Sequence, residues 1–384
     1  MNHPDLLIDV SRLIWRAWKG RLPTGIDRVC LAYLDHFGDR AHAVIQWRGK
    51  FRVLPVAQSR QLSALLLRGG AGFRAAFARM MPRLMLAASR RIARPGMLYL
   101  NIGHTGLESP ELPKWVAANR IKAVYLIHDL IPISHPEFCR PGEGPKHELR
   151  MRHALASAAG IIGNSRATLA ELADFGQAAN LPPPPQIDAW ISGYTIPERM
   201  ARMVPQRPYF VTVGTIEGRK NHILLLNVWQ HLVSKLGADA PRLLIIGQRG
   251  WEAELALSVI DTVATLKGHV AELGDCDDID LARLISGARA LLMPSFAEGF
   301  GLPVVEALQL GAPVIASDLP VFREIAGDIP TFLDPTDGSG WEQQIMAFVG
   351  DCPERERQLA AMADFRAPGW AEHFARIGPW LETL

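Results

Sequence analysis

Short apolar runs, most of which end in glycine or a polar residue, alternate with helix-length segments along most of the chain. In the second half these runs are Pro208–Gly214, Arg242–Gly247, Ala290–Ser295 and Ala312–Ser317. In the first half they are Leu6–Asp9, Ala43–Gln46, Met97–Leu100, Ala123–Ile127 and Gly160–Gly163. Apolar strands that alternate with helices are typical of βα units and of a parallel sheet covered on both faces. The pattern therefore predicts an α/β protein.

The length of 384 residues fits two such domains better than one core. The tract Leu181–Gln186 contains four consecutive prolines, which exclude a helix or a central strand. It therefore indicates a loop or the approach to a domain boundary. We place that boundary near residue 200, so that residues 1–199 form the first domain and residues 200–367 the second. Residues 368–384 are amphipathic and predict a C-terminal helix.

The composition, 48% apolar and 21% charged, is that of a globular protein. No stretch of about 18 apolar residues predicts a membrane span, and the N-terminus lacks the pattern of a secretory signal.

The four cysteines are scattered along the chain: Cys30, Cys139, Cys276 and Cys352. This spacing favours reduced thiols over disulfides or a zinc site. We expect a cytoplasmic protein.

The net charge of +2 hides an asymmetry between the two halves. Residues 1–200 carry 26 Lys and Arg against 15 Asp and Glu, a charge of +11, and the remainder carries 15 against 24, a charge of −9. A basic half predicts an anionic partner: a membrane face, a phosphate-bearing acceptor or a nucleic acid.

The basic character is concentrated in residues 40–94, which contain twelve Lys and Arg residues and no Asp or Glu. Apolar side chains recur there at helical spacing: Phe73, Phe77, Met80, Leu84 and Ala88. Pro82 should kink or split this helix. A basic amphipathic helix is typical of an anionic membrane surface, and the alternative is a helix packed on the domain core. No aromatic and basic recognition pattern favours a nucleic acid, so we expect none as a partner.

The strongest motif runs from Ser295 to Glu306 and follows an apolar strand. Gly299 and Gly301 keep the loop free of side chains, so backbone amides and the start of a helix near Pro303 can face a phosphate. Glu298 in the loop and Glu306 in the helix are separated by seven residues. Two carboxylates so placed can accept hydrogen bonds from the hydroxyls of a sugar and of a ribose.

This block resembles the donor site of glycosyltransferase family 4, and so does the run Leu310–Ser317 that follows it. The earlier run Val213–Asn221, with Gly214 at its turn, is similar to the second block of that family. The resemblance implies a GT-B fold, in which two Rossmann-like domains face each other across a cleft. It also implies that the C-terminal helix packs back on the N-terminal, acceptor-binding domain.

The pair Arg219-Lys220 has a chemical role in such an enzyme. Departure of a nucleoside diphosphate leaves negative charge, which preorganised cations stabilise without Mg²⁺. The acidic residues Asp275, Asp277, Asp278 and Asp280 crowd together. We interpret them as the start of a helix, where acidic residues are favoured, and not as a metal clamp. No metal or other cofactor is expected.

The first half supplies candidate ligand contacts at two strand ends. Gly25 lies in the segment Leu22–Arg28, which precedes a predicted helix over Val29–Phe37. It resembles the N-terminal glycine loop of the family, where the backbone approaches a phosphate or acceptor. His128 and Asp129 follow an apolar strand, where open α/β sheets bind ligands. By resemblance His128 lies beside the transferring sugar, and Asp129 orients it or contacts the acceptor. A buried structural histidine is the alternative, and His104 and Ser165 are weaker candidates.

The resemblance implies a retaining, metal-independent hexosyltransferase. Catalysis is assigned to His128, Arg219, Lys220 and Glu298. Substrate contacts are assigned to Gly25, Asp129, Gly214, Phe300, Gly301, Leu302 and Glu306, with Glu306 on the ribose. The resemblance to bacterial mannosyltransferases of surface polysaccharide assembly predicts GDP-mannose as the donor, with a UDP-hexose as the alternative.

The expected acceptor is a glycan or a polyprenyl-diphosphate-linked oligosaccharide, and the expected location is the inner face of the cell membrane, as a peripheral protein. A nucleotide-sugar 2-epimerase is the alternative from another class. A nicotinamide-dependent dehydrogenase would need a glycine fingerprint that is missing after the first strand. An inactive binding partner would not need the Arg-Lys pair and both glutamates.

Overall fold

The computed structural model describes residues 6–20, 23, 25–88, 92–193 and 207–384. The chain divides into two compact units. The first comprises Met1–Leu130, Pro145–Ile191 and Trp370–Leu384, and the second comprises Ile131–Gly144 and Ser192–Gly369. The predicted boundary near residue 200 lies outside the described residues. The segment Ile131–Gly144, which the sequence assigns to the first domain, clusters with the second unit.

The first unit contains a seven-stranded sheet in the order β3-β2-β1-β4-β5-β6-β7. Its strands are β1 (Leu6–Asp9), β2 (Ala41–Trp47), β3 (Lys50–Val53), β4 (Leu98–Asn101), β5 (Lys122–Ile127), β6 (Ala158–Gly163) and β7 (Gln186–Asp188). All neighbours are parallel except β2 and β3, which form an antiparallel pair. The strand order reverses between β1 and β4, so polar residues at the carboxyl ends of these two strands flank a crevice where open α/β sheets bind ligands.

Eight helices connect these strands or follow them up to residue 178. They are α1 (Ser11–Trp18), α2 (Gly25–Phe37), α3 (Val56–Arg68), α4 (Phe73–Ala87), α5 (Glu111–Asn119), α6 (Ile131–Ser134), α7 (Glu143–Ser157) and α8 (Arg166–Ala178). Ser165 caps α8 by accepting a hydrogen bond from the amide of Thr168 at 3.0 Å. The predicted helix over residues 29–37 begins four residues earlier, at Gly25.

Helix α4 decides one of the two outcomes predicted for Pro82, a kink or a split. It runs through Pro82 without being split, because the proline removes only one amide donor and the hydrogen bonds on either side of it continue the helix. Three residues of the predicted apolar stripe, Phe73, Phe77 and Leu84, are buried in the unit. Most of the stripe is therefore core, as the packing alternative stated.

The second unit contains a six-stranded, fully parallel sheet in the order β10-β9-β8-β11-β12-β13. Its strands are β8 (Tyr209–Val213), β9 (Arg242–Ile246), β10 (Val270–Leu273), β11 (Leu291–Met293), β12 (Val314–Ser317) and β13 (Thr331–Leu333). Its helices are α9 (His222–Leu236), α10 (Glu254–Thr262), α11 (Asp278–Ser286), α12 (Leu302–Gln309), α13 (Pro320–Ala326), α14 (Gly338–Val349) and α15 (Pro353–Ala361).

The core of the second unit forms where α9 and α14 cover β8 and β9. Trp229, Trp341 and Phe348 are fully buried there together with aliphatic residues of the strands. Each buried aromatic ring removes a large apolar area from water, which stabilises this side of the sheet. The carboxyl ends of β8 and β11, which are neighbours in the sheet, are thereby held on a rigid support.

The last helix, α16 (Trp370–Thr383), clusters with the first unit. His373 on α16 lies 2.8 Å from the Tyr33 hydroxyl on α2 and 3.0 Å from the carbonyl of Trp190. Phe374 packs edge-on against Tyr33. Within the described residues, no helix is long and apolar enough to cross a membrane.

Candidate active site

The loop between β11 and α12 requires glycine at residue 301. Gly301 has φ 101° and precedes the first residue of α12. A Cβ atom on it would lie 2.5 Å from Cε1 of Phe322, closer than atoms can approach. Phe300 is buried beside it, and Leu302 and Pro303 form the first turn. The start of a helix is thus held at the carboxyl edge of the sheet, where it favours an anion.

Glu298, in the same loop, is the centre of a buried ionic cluster. Its Oε2 accepts a hydrogen bond from Nη1 of Arg219 at 2.7 Å. Its Oε1 accepts from Nζ of Lys220, and also from the hydroxyl of Ser295 at 2.8 Å. The side chain is only 6% exposed. The structure therefore brings three of the four predicted catalytic residues into direct contact.

Arg219 is held by further contacts. Its Nη2 lies 2.6 Å from Oε1 of Glu217, its Nη1 donates to the carbonyl of Ala297 at 2.9 Å, and its own carbonyl accepts from the amide of Phe296 at 2.8 Å. Two cations and two carboxylates thus form a cluster with no net charge. The guanidinium is fixed before any ligand arrives.

The pKa shifts in this cluster follow from burial and pairing. Burial raises the pKa of Glu298, but the charges and hydrogen bonds of Arg219 and Lys220 outweigh it and lower the pKa to about 2. Burial lowers the pKa of Lys220, and Glu298 opposes that change. The carboxylate is therefore ionised at neutral pH, and its charge keeps a proton on the buried ammonium group.

Gly214 lets Lys220 reach this position. It ends β8 with φ 136°, and a Cβ atom there would lie 3.2 Å from Cε and 3.4 Å from Nζ of Lys220. The lysine side chain thus crosses the glycine backbone, where a larger residue would displace it. Residues Gly218–Lys220 form a 3-10 turn that carries both cations to the edge of the sheet.

Glu306 lies one turn inside α12 and is 7% exposed. A Cβ atom on Gly193 would lie 2.8 Å from its Cγ, so the chain at residue 193 passes close to this side chain. The two glutamates therefore hold separate positions in the same unit, one in the loop and one on the helix.

Two of the predicted residues of the first unit, His128 and Asp129, lie at the carboxyl end of β5. His128 follows β5, is 4% exposed, and has Nε2 2.8 Å from the carbonyl of Ile102. Burial lowers its pKa to about 4, so at neutral pH Nε2–H donates to that carbonyl and Nδ1 is an acceptor. Asp129 follows it, and its carbonyl lies 3.1 Å from Nε2 of His147.

His128 is part of a group of three histidines. The ring of His104 lies 5.2 Å from that of His128 and 5.9 Å from that of His147. His104 Nε2 lies 2.8 Å from the carbonyl of Leu126, and burial lowers its pKa well below the usual value. Each of the three rings therefore has one nitrogen beside a backbone carbonyl.

Only part of the predicted glycine loop, Leu22–Arg28, belongs to the described residues, since Leu22 and Thr24 lie outside them. Gly25 is the first residue of α2, and a Cβ atom on it would meet nothing within 4 Å. No protein atom of the described residues thus requires glycine at this position. Its predicted contact with a ligand stays a prediction.

Several polar residues of the site were missed by sequence reasoning. Glu217 stands two residues before Arg219, a spacing that could have suggested a partner. In the first unit, buried Asp9 accepts hydrogen bonds from the side chains of Gln46 and Tyr99 at 2.8 and 3.0 Å. Burial raises the pKa of Asp9 to about 6. No local pattern predicts this contact, because its three members come from different strands.

The acidic run around residue 277 starts a helix, as predicted. Asp277 caps α11 by accepting a hydrogen bond from the amide of Asp280 at 2.8 Å. Across the part of the chain that the structure describes, no group of three or more His, Cys, Asp or Glu residues could hold a metal ion.

Parts of the chain are similar to known glycosyl transferases. Residues 200–361 match the family model of glycosyl transferases group 1. O-antigen chain mannosyltransferase B of Escherichia coli is 36% identical over 148 residues, 38% of this chain and 38% of that protein. Serotype-specific mannosyltransferase WbdA of Escherichia coli is 29% identical over 226 residues, 53% of this chain and 27% of that protein. The matches thus span well under two thirds of these relatives.

Solved structures share the fold over the whole chain. Anabaena Alr3699/HepE in complex with UDP matches with a TM-score of 0.67 and 16% identity, covering 100% of both chains. At that identity the likeness shows the fold alone. The predicted fold class, α/β with two Rossmann-like domains of the GT-B type, is confirmed. The resemblance to bacterial mannosyltransferases of surface polysaccharide assembly is confirmed as well.

Proposed function

We propose that this chain is a retaining, metal-independent glycosyltransferase that moves a hexose from a nucleotide-diphosphate sugar, with GDP-mannose as first choice, to a glycan acceptor. The acceptor is lipid-linked and serves bacterial surface polysaccharide synthesis. The buried cluster of Arg219, Lys220 and Glu298 carries the proposal, because it lies in the segment that matches the glycosyl transferases. Relatives with mannosyltransferase names support the choice of donor.

In this mechanism Arg219 and Lys220 stabilise the diphosphate that leaves the sugar. Charge on the leaving oxygen grows in the transition state, and fixed cations in a water-poor site are effective there because they need no reorganisation. Both cations are already held by carboxylates, Glu217 and Glu298. Their position therefore does not depend on the ligand.

Glu298 binds hydroxyls of the donor sugar, and Glu306 binds the ribose. A carboxylate offers about four acceptor positions. Oε1 of Glu298 accepts from two groups and Oε2 from one, so Oε2 can accept a hydroxyl without losing Arg219. The backbone of Phe300, Gly301 and Leu302 completes the cradle at the start of α12. Gly214 keeps the path of Lys220 open.

The first unit supplies the acceptor side. His128 offers an unprotonated Nδ1 beside the transferring sugar, Asp129 contacts the acceptor, and Gly25 lets the backbone approach it. Transfer to the face that the diphosphate leaves retains the anomeric configuration. Retention is taken from the family resemblance.

A UDP-hexose is the alternative donor, because the solved neighbour Alr3699/HepE was also captured with UDP-glucose, at a TM-score of 0.68. The 2-epimerase is not favoured, since the relatives named above are mannosyltransferases. Product analysis after incubation with UDP-GlcNAc separates the two classes.

The decisive experiment is a donor screen with GDP-mannose, UDP-glucose, UDP-GlcNAc and UDP-galactose. We expect one donor to raise the melting temperature and to be hydrolysed slowly to the free sugar in the presence of EDTA. Proton NMR of the first-formed anomer then reports retention or inversion. Hydrolysis of none of the four, or an inverted anomer, would contradict the proposal, and restoration by Mg²⁺ alone would contradict metal independence.

We also propose that residues 40–94 contribute to a peripheral contact with an anionic membrane on the inner face of the cell membrane. The buried part of the α4 stripe is not available for it. Instead α4 exposes Met81, Met85 and Leu86, while Trp15 and Trp18 of α1 are half exposed. Trp18 packs edge-on against Phe77 of α4, with ring centres 6.2 Å apart. We call these five exposed side chains the α1–α4 surface.

Basic side chains accompany that surface, since Arg74, Arg79 and Arg83 are exposed on α4. Each cation near an anionic membrane contributes about 1 kcal/mol. We expect flotation with phosphatidylglycerol vesicles that weakens as salt rises, and its loss in the double variant R79Q/R83Q. The control R152Q removes an exposed arginine of α7, outside residues 40–94. Binding that is independent of salt, or equal in both variants, would refute the contact.

A further inference from the structure

Arg12, in the first turn of α1, occupies the crevice between the carboxyl ends of β1 and β4. Its side chain lies over Gly103, where a Cβ atom would be 2.7 Å from Cδ of Arg12 and 3.2 Å from Sγ of Cys30. β1 and β4 are the two strands at which the order of the sheet reverses. Open α/β sheets bind their ligands at this switch point.

A buried carboxylate holds Arg12 in place. Nε of Arg12 donates to Oδ1 of Asp27 at 2.7 Å, and Nε of Arg16 lies 2.9 Å from Oδ2 of the same residue. Asp27 is 1% exposed, whereas the side chain of Arg12 is 30% exposed. The carboxylate therefore fixes the stem of Arg12 and leaves its outer end accessible to solvent.

The outer end of Arg12 is the part that recognises anions. Of the residues that the structure describes, none accepts a hydrogen bond from its two terminal amino groups. A guanidinium with two parallel donors matches the oxygens of a phosphate or a carboxylate. Two arginines share the carboxylate of Asp27 here.

We propose that Arg12, oriented by Asp27, is the binding site for a phosphate group of the acceptor. The proposal rests on the proposed function, and it specifies the acceptor as a phosphate-bearing molecule. The site lies close to the predicted catalytic histidine, since Arg12 packs over Gly103 and Nε2 of His128 lies 2.8 Å from the carbonyl of the preceding residue, Ile102.

The nearby acidic groups do not cancel this site. Asp27 is already engaged by the two arginines. The oxygens of Asp9 already accept hydrogen bonds from the side chains of Gln46, Tyr99 and Ser11.

The geometry of α1 links this site to the proposed membrane contact. Arg12 and Trp15 are three residues apart, so they are neighbours along the surface of the helix. Trp15 is 51% exposed. A phosphate close to a membrane surface would thus reach Arg12 while Trp15 contacts the interface. This arrangement fits a diphosphate that joins a glycan to a lipid.

The test uses the full-length chain and inorganic pyrophosphate as the probe, titrated by calorimetry with GDP present in excess to occupy the donor site. The Arg12→Gln variant should bind pyrophosphate at least tenfold more weakly than the unaltered chain. The Arg12→Lys variant, which keeps a cation for Asp27 but loses the fork, should bind at least threefold more weakly. The control Arg152→Gln removes an exposed arginine of the same unit that lies outside residues 40–94, and it should bind normally.

Thermal unfolding shows whether each variant is folded, and if Arg12→Gln is not, Arg12→Lys alone decides the outcome. Unchanged binding in the folded variants would overturn the proposal, and so would an equal loss in Arg152→Gln. A parallel titration with phosphatidylglycerol vesicles separates the sources of the phosphate. If the Arg12 variants lost binding to the vesicles but not to pyrophosphate, the assignment to the acceptor would be wrong. The titration needs no turnover, so its result is independent of the donor screen.

Discussion

The ionic cluster around Glu298 makes a prediction about stability as well as catalysis. In the variant Glu298→Gln the shape of the side chain is kept and its charge is removed. Lys220 then remains buried without its carboxylate, while Arg219 still has Glu217. We expect the second unit to lose stability at neutral pH, because an uncompensated charge stays in a site with little access to water.

The magnitude follows from the pKa of Glu298, which is about 2 in the folded protein against 4.5 for an unperturbed glutamate. Each pKa unit corresponds to about 1.4 kcal/mol, so the ionised form contributes on the order of 3 kcal/mol. A depressed folded pKa gives stability that is present above the unfolded pKa and is lost as pH falls towards the folded value. The difference between the variant and the unaltered chain should therefore shrink from pH 5 to pH 2.

The assay is urea unfolding followed by hydrogen exchange of peptides from β8 and β9, which reports on the second unit alone. The matched control is Glu272→Gln, whose partner Arg249 is 42% exposed, so that its loss should cost no more than about 1 kcal/mol. Equal effects of the two variants at pH 7 would refute the reasoning. A loss in Glu298→Gln that is the same at pH 7 and pH 3 would show that packing, not charge, is responsible. Turnover should fall by orders of magnitude in either case if Glu298 also contacts the sugar.

Three further predictions concern single residues. Lys220→Gln should lower kcat at least 100-fold, since it removes one of the two cations that we propose to face the leaving group, and near-normal turnover would exclude that role. The folded pKa of His128, about 4, lies below the usual 6.5. The contribution of His128 to the free energy of unfolding should therefore fall by about 3 kcal/mol as the pH falls from 6.5 to 4, as measured by urea unfolding. If the free energy of unfolding of a His128→Asn variant depended on pH as steeply as that of the unaltered chain, the prediction would be wrong. Gly301→Ala should lower the stability of the fold by about 1–3 kcal/mol through backbone strain alone, and the clash of the new Cβ with Phe322 should lower it further. Gly338→Ala, whose Cβ would meet nothing within 4 Å, should leave the stability unchanged when both variants are compared by thermal unfolding.

Much of the fold could be predicted because its central strands are continuous apolar runs. β1, β5, β8 and β9 are buried on both faces, and such runs are visible without any partner. The strands β3, β7, β10 and β13 were not predicted. They are three or four residues long and half-exposed in part, so only pairing with a neighbouring strand distinguishes them from loops.

The candidate site was predictable to the extent that it is local in sequence. Glu298 and the pair Arg219-Lys220 stand in short motifs, and their direct contact follows from the neighbouring positions of β8 and β11. Asp27 and Arg12 are fifteen residues apart. Helix α2, which carries Asp27, begins at Gly25, four residues before the start predicted from the sequence. Their ion pair depends on how α1 and α2 pack, which no motif specifies.

The neutrality of the Glu298 cluster has a consequence for donor binding. A diphosphate adds negative charge to a group whose two cations are already balanced by Glu217 and Glu298. Attraction to the net charge of the cluster therefore cannot hold the donor. The remaining attraction must come from directed hydrogen bonds to the outer faces of the cations and from the start of α12, whose dipole favours an anion. Gly301, which sets the direction of that helix, is for this reason expected to affect donor affinity as strongly as either cation.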